Sequence, residues 1–236
     1  MISKKVSALL LSALLILFAC NVLAKEPAAA GTFYPSDRKE LKAMVGTFLS
    51  KAQKVPAGAR LIAIISPHAG YRYSGQVAAY GYRQIEGRDI RRVIIIGPSH
   101  YVGFRGASVY TKGKFTTPLG DVKIDEKAAE SLLDENVDLK FYPDAFEKEH
   151  SIEVQLPFLQ TVLKDFTIVP IVVGSLSRPT FDRLVGDLAD LLDEKTLLVA
   201  SSDLSHYHDY DRAKDMDGRI ISAVERLSVT DAGNLL

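Results

Sequence analysis

Five histidines, His68, His100, His150, His206 and His208, carry the chemistry this sequence can be read for, because each stands where a regular element is about to start or has just ended. His68 follows the apolar run Leu61–Ile65 within Pro67-His68-Ala69-Gly70. His100 follows Arg92–Gly97 within Gly97-Pro98-Ser99-His100, and His206 follows Thr196–Ser201 within Ser201-Ser202-Asp203-Leu204-Ser205-His206. Three imidazoles aimed at one volume make a metal site with open positions, suited to zinc or, with a carboxylate added, to non-haem iron. Asp203 is placed to be that carboxylate or to fix a histidine tautomer. Glu149, His150 and Glu153 offer the same service, and His150 reads equally as a capping partner or as an acid or base near neutral pH. His206, His150 and Asp203 are therefore the candidate catalytic groups, and His68, His100 and His206 the candidate metal ligands. Tyr71, Tyr73 and Tyr101 flank the histidines and can line a pocket or simply pack. His208 reads as a surface neighbour.

Convergence requires a sheet whose strand ends share an edge. Leu61–Ile65, Arg92–Gly97, Phe166–Gly174 and Thr196–Ser201 are short β-branched runs bounded by Gly, Pro and Ser, which is the pattern of strands buried on both faces. Helical patterns alternate with them: Asp37 to about Lys51 capped by Ser36, Gly75 to Ile85 capped by Ser74, Glu126 to Glu135, an amphipathic stretch after His150 with Ser151 as its cap, Pro179 to Leu192, and about Arg212 to Leu227. The alternation predicts an α/β fold, with a mainly parallel central sheet flanked by helices on both faces. Broken, glycine-bearing segments from Gly103 to Ile124 predict a small β insertion. In such a sheet, ligands bind outside the carboxyl ends of the strands.

The chain has 236 residues, enough for one domain, and 29 basic against 29 acidic residues give no footprint for nucleic acid. Its first residues differ from the rest. MISKK followed by VSALLLSALLILFA has a basic start and an apolar run of secretory length, too short for a comfortable membrane span. The run ends on Cys20, the sole cysteine. Residues 1–19 are expected to be a lipoprotein-type signal peptide with Cys20 as the lipidated residue; ordinary cleavage after Val22-Leu23-Ala24 is the alternative. Residues 20–30 then form a tether before the domain at 31–236. Either route predicts an exported protein, anchored by lipid or periplasmic, whose only membrane contact is the anchor.

The motifs AAAGTFYP, ISPHAGYRYSG, IIIGPSHYVGF, TPLGDVKID, EHSIEVQLPFL, IVPIVVG and SSDLSHY, in this order across nearly all of the mature chain, resemble those of the Memo-like family, whose bacterial members are called AmmeMemoRadiSam system protein B. That family is similar in fold to the class III extradiol dioxygenases, which use non-haem iron. The resemblance implies that His68, His100 and His206 line a metal or vestigial active-site pocket with Asp203 and His150 beside it. By analogy with the dioxygenases, His68 and His100 would be iron ligands and His206 the acid or base. It further implies a carboxyl-terminal segment with a Cys-Gly pair, which is expected to be missing before Leu236. The function expected is that of a binding or accessory protein in metal and redox biology, with iron as the cofactor and copper or zinc as alternatives. A radical enzyme or a peptide would be the partner. Two other readings are an iron-dependent dioxygenase acting on a small aromatic substrate and a zinc hydrolase.

Overall fold

The computed structural model describes residues 24–56 and 60–228; the expected signal peptide, the Cys20 lipidation site and the last eight positions lie outside the described residues. The chain begins with the two-residue strand β1 (Ala24–Lys25) and helix α1 (Arg38–Lys51), then runs through β2 (Ala63–Ser66), α2 (Tyr71–Ile85) and β3 (Arg92–Pro98). The insertion follows, made of β4 (Ala107–Val109), β5 (Lys114–Thr117), β6 (Gly120–Ile124), α3 (Glu126–Ser131), β7 (Leu139–Lys140) and α4 (Asp144–Glu147). A 3-10 turn (Glu153–Gln155) leads into α5 (Leu156–Val162), β8 (Thr167–Val173), α6 (Arg178–Leu191), β9 (Thr196–Ser201) and α7 (Tyr210–Glu225).

The strands form one sheet in the order β1-β5-β6-β8-β3-β9-β2. β2, β9, β3, β8 and β6 are mutually parallel, β5 runs antiparallel to β6, and β4 adds antiparallel to β8 with β7 beside it. β3 is central because Val93, Ile94 and Ile95 are wholly buried, and a strand clad on both faces can be apolar at every position. β3, β9 and β2 are neighbours, so their carboxyl ends come out side by side.

Local chemistry differs from the sequence reading at three helix starts. α1 is capped by Asp37, whose carboxylate accepts from the backbone of Lys39 and Glu40, and not by Ser36. α2 begins four residues earlier than expected, at Tyr71 after Gly70, and the Ser74 hydroxyl donates to the Ala69 carbonyl. Ser151 does not cap a helix; its hydroxyl donates to the Pro98 carbonyl at 3.0 Å. That contact explains Gly97, where an added Cβ would lie 2.5 Å from the Ser151 hydroxyl. β2 departs more. It is an edge strand, with Ile62 46% and Ile65 52% exposed, so its apolar run does not mark burial on both faces.

Candidate metal centre

Three adjacent strand ends each place one polar side chain two residues beyond the last strand residue: His68 after β2, His100 after β3 and Asp203 after β9. The fourth contributor comes from elsewhere. His150 sits in the segment between α4 and the 3-10 turn, beneath the end of β3, where Ser151 is fixed on Pro98. One ligand atom each from His68, His100 and His150 lie within 4.8 Å of one another. The rings pack closely, with centroids 5.1 Å apart for His68 and His100 and 4.4 Å for His100 and His150. His68 and His150 are buried, and His100 opens the group toward solvent with its side chain 31% exposed.

The hydrogen bonds determine which ring nitrogens are free. The Ser201 hydroxyl gives its one proton to the Ser151 carbonyl at 2.7 Å and accepts from Gln155 Nε2 at 2.8 Å. At His68 Nδ1, 2.9 Å away, the same oxygen can only accept, so Nδ1 carries the proton. Nε2 of His68 is then a bare lone pair, and it is buried without a hydrogen-bond partner. His100 is fixed in the same sense by Glu149. The carboxylate accepts from His100 Nδ1 at 2.9 Å and from the His100 backbone at 2.7 Å, turning Nε2 away from it. Nδ1 of His150 is a second buried nitrogen without a hydrogen bond, 3.5 Å from Glu149 Oε1. Native interiors leave few such atoms, and two in one cluster mark a place prepared for a ligand that is neither backbone nor side chain.

Charge is arranged to match. Burial alone would push the Glu149 carboxyl up, but donors from the His100 ring and backbone and from the Ser151 backbone overcome it and hold the group at about 2. Burial lowers His150 to about 4, against the pull of the Glu149 charge. Burial also depresses His68, with Asp203 opposing and His100 adding to the effect. The bond to Glu149 raises His100 despite its partial burial. At neutral pH, His68 and His150 are therefore neutral, the state in which imidazole binds a metal.

Asp203 is held by backbone donors on the neighbouring loop, His68 N at 2.5 Å and Ala69 N at 3.0 Å, both to Oδ1. Its other oxygen, Oδ2, lies 3.6 Å from His68 Nε2 and 3.5 Å from His206 Nε2. His206 thus adjoins the cluster through Asp203. Its side chain is 47% exposed, and its Nδ1 lies 2.9 Å from the Leu204 carbonyl. The loop carrying both residues holds Leu204 and Tyr207 at φ 61° and 59°, a left-handed conformation uncommon away from glycine. His208 is exposed.

The three tyrosines separate. Tyr101, half exposed, borders the imidazoles, its ring centroid 6.0 Å from His150 and 6.4 Å from His100. Tyr71 is buried away from them, donating to the Val154 carbonyl at 2.6 Å and packing on Phe158. Tyr73 is exposed beneath Arg72. Phe33, which the sequence reading passed over, lies on His150 with centroids 4.2 Å apart. The turn holding it is anchored by Glu153, which accepts from Tyr34 Oη at 2.5 Å, Lys25 Nζ at 2.8 Å, and the backbone of Ala28 and Ala29 at 2.7 and 2.8 Å. Glu153 is therefore an architectural group rather than a partner of the histidines.

The family model for Memo-like protein matches residues 25–236. This chain belongs to the Memo-like family. It is 36% identical over 206 residues to a MEMO1 family protein of Thermoplasma acidophilum, covering 87% of this chain and 76% of that one. It is 39% identical over 216 residues to a MEMO1 family protein of Thermotoga maritima, covering 85% and 77%. A memo-1 homolog of Caenorhabditis elegans is 36% identical over 220 residues, covering 84% of this chain and 61% of its own length. The histidine cluster of this Memo-like chain lies within the matched region, as do the Glu149 and Ser201 bonds that orient it.

Proposed function

We propose that this protein binds a first-row transition metal, ferrous iron before copper or zinc, through His68, His100 and His150, and acts as a binding or accessory protein in metal and redox chemistry. The observation that carries this reading is the pair of buried ring nitrogens without a hydrogen bond, His68 Nε2 and His150 Nδ1, in a cluster where His68, His100 and His150 each bring one ligand atom within 4.8 Å of the others. An all-imidazole donor set suits iron, copper or zinc and is ill suited to calcium or magnesium. When bound, such a metal supplies Lewis acidity and, for iron or copper, a redox couple. The chain's own residues do the rest. Ser201 and Glu149 keep the protons on the outer nitrogens of His68 and His100, Phe33 covers His150 against water, and Asp203 keeps a carboxylate oxygen between the buried cluster and the exposed His206.

The test is the metal content of protein purified anaerobically and loaded with ferrous iron, beside a His68→Ala, His100→Ala double variant. One equivalent in the wild type and none in the double variant is expected. A wild type that takes up no iron, copper or zinc overturns the reading. Oxygen consumption with a catechol separates an accessory role, which predicts none, from ring cleavage.

A further inference from the structure

The β insertion borders a cavity of about 590 Å³ that shares no residue with the histidine cluster. β4 and β7 lie parallel, so Tyr110, the residue after β4, and Phe141, the residue after β7, leave the sheet at the same end. Phe146 of α4 completes an aromatic wall, with the Tyr110 ring centroid 5.2 Å from Phe141 and 5.1 Å from Phe146. Tyr110 is only 5% exposed, and its hydroxyl makes no hydrogen bond among the described residues. Burial alone raises that hydroxyl above its ordinary value. A buried tyrosine hydroxyl usually finds a partner. This one is not sealed off, so its oxygen opens on the cavity that the residue lines.

The rim has one sign of charge. Glu26, Asp144 and Glu147 are exposed there, and none of them forms an ion pair among the described residues. The cation in the lining, Lys25, is neutralised by Glu153 at 2.8 Å. Its ammonium also lies 6.0 Å from the Phe115 ring, which packs 5.1 Å from Tyr110, so the chain already sets one cation against this aromatic group. Aromatic walls under unpaired carboxylates select an organic cation. A bare ammonium would bring three N–H donors to a cavity whose wall offers one unpaired hydroxyl, whereas an alkylated nitrogen needs no hydrogen bond and gains from apolar contact. We propose that this cavity binds a small quaternary ammonium ion, with its alkyl groups against Tyr110, Phe141 and Phe146 and its charge beneath Glu26, Asp144 and Glu147. The volume suits a ligand of that size.

The experiment titrates the full chain with choline by calorimetry, beside the neutral alcohol in which a tert-butyl group replaces the trimethylammonium. The expected result is one bound choline and roughly tenfold weaker binding of the neutral isostere. Nuclear Overhauser contacts should join the choline methyl groups to the rings of Tyr110 and Phe141. A Glu26→Gln, Asp144→Asn, Glu147→Gln variant should bind choline roughly tenfold more weakly and the isostere unchanged. These carboxylates are exposed and unpaired, so the variant keeps its fold, which circular dichroism checks. The His68→Ala, His100→Ala variant should bind choline as the wild type does, which separates this site from the metal centre. Absence of choline binding overturns the proposal. So does equal binding of the two probes, which would make the cavity merely apolar, or loss of choline binding in the histidine variant, which would put the cation at the imidazoles.

Discussion

Glu149 and Glu153 lie four residues apart, both with buried carboxylates, and the molecule uses them in opposite ways. Glu153 is saturated from within the chain, since a lysine, a tyrosine hydroxyl and two backbone amides fill its oxygens. Glu149 is equally well bonded, but the imidazoles around it are not, and buried nitrogens on His68 and His150 remain without partners. A buried acid whose surroundings are complete holds the fold together. One whose surroundings are complete except for ring nitrogens without hydrogen bonds, within a cluster of three imidazoles, holds ligands in readiness. Burial alone does not distinguish the two.

The comparison breaks most visibly at Glu153. Removing one partner of a buried ion pair strands the other, so Glu153→Ala should cost about 3 to 5 kcal/mol in denaturant unfolding, with Lys25 left unpaired. Metal stoichiometry should be unchanged wherever the variant is folded. A variant of wild-type stability would show that the N-terminal turn is held by other contacts.

Acid separates the histidines next. His150 stands at about 4 in the folded chain against an ordinary 6.5, so the folded state binds fewer protons between those values. Stability should therefore be full above pH 6.5 and fall as pH drops toward 4, by roughly 3 kcal/mol for this group. His68 shifts in the same direction. His100 is raised, so its contribution is present below 6.5 and is lost only as pH rises through its folded value, outside that window. Urea unfolding at pH 7 and pH 4.5 in the wild type and in His150→Asn checks this. Equal pH dependence in the two proteins would remove His150 as the cause.

Smaller effects sharpen the contrast. Glu149→Gln sets an amide NH2 against N–H donors that the carboxylate accepts from, so it loosens the hold on the His100 tautomer; metal affinity should fall about 10- to 100-fold, and stability at neutral pH should fall with it. His206→Ala should change affinity least, because the ring is 47% exposed and adjoins the cluster beside Asp203. Competition with a chromophoric chelator measures both.

Much of this was legible in the sequence, for reasons that show where legibility stops. An apolar β-branched run ending in Pro or Gly fixes a strand end, and the parallel sheet carries His68 and His100 to one edge. His150 was visible only as a residue near a helix start. Its place depends on the fit of Ser151 against Gly97 and Pro98, a contact between segments far apart in the chain that has no local pattern. The sequence places His206 with the ligands because it follows β9; in the structure the residue two beyond that strand, in register with His68 and His100, is Asp203, with His206 beside it. Ser201 and Gln155, which set the His68 tautomer, read as ordinary polar residues until the Tyr82 hydroxyl, Gln155, Ser201 and His68 are seen in one chain of hydrogen bonds. β2 misled because an edge strand packed on one face can carry the same apolar residues as a central one.

The most direct test compares iron(II) or zinc titration of wild type, His150→Ala and His206→Ala at neutral pH without oxygen. Loss of the tight site in His150→Ala, with near-wild-type binding in His206→Ala, is the predicted result. Tight binding that survives in His150→Ala and disappears in His206→Ala would contradict the central claim that the third imidazole of the site is His150.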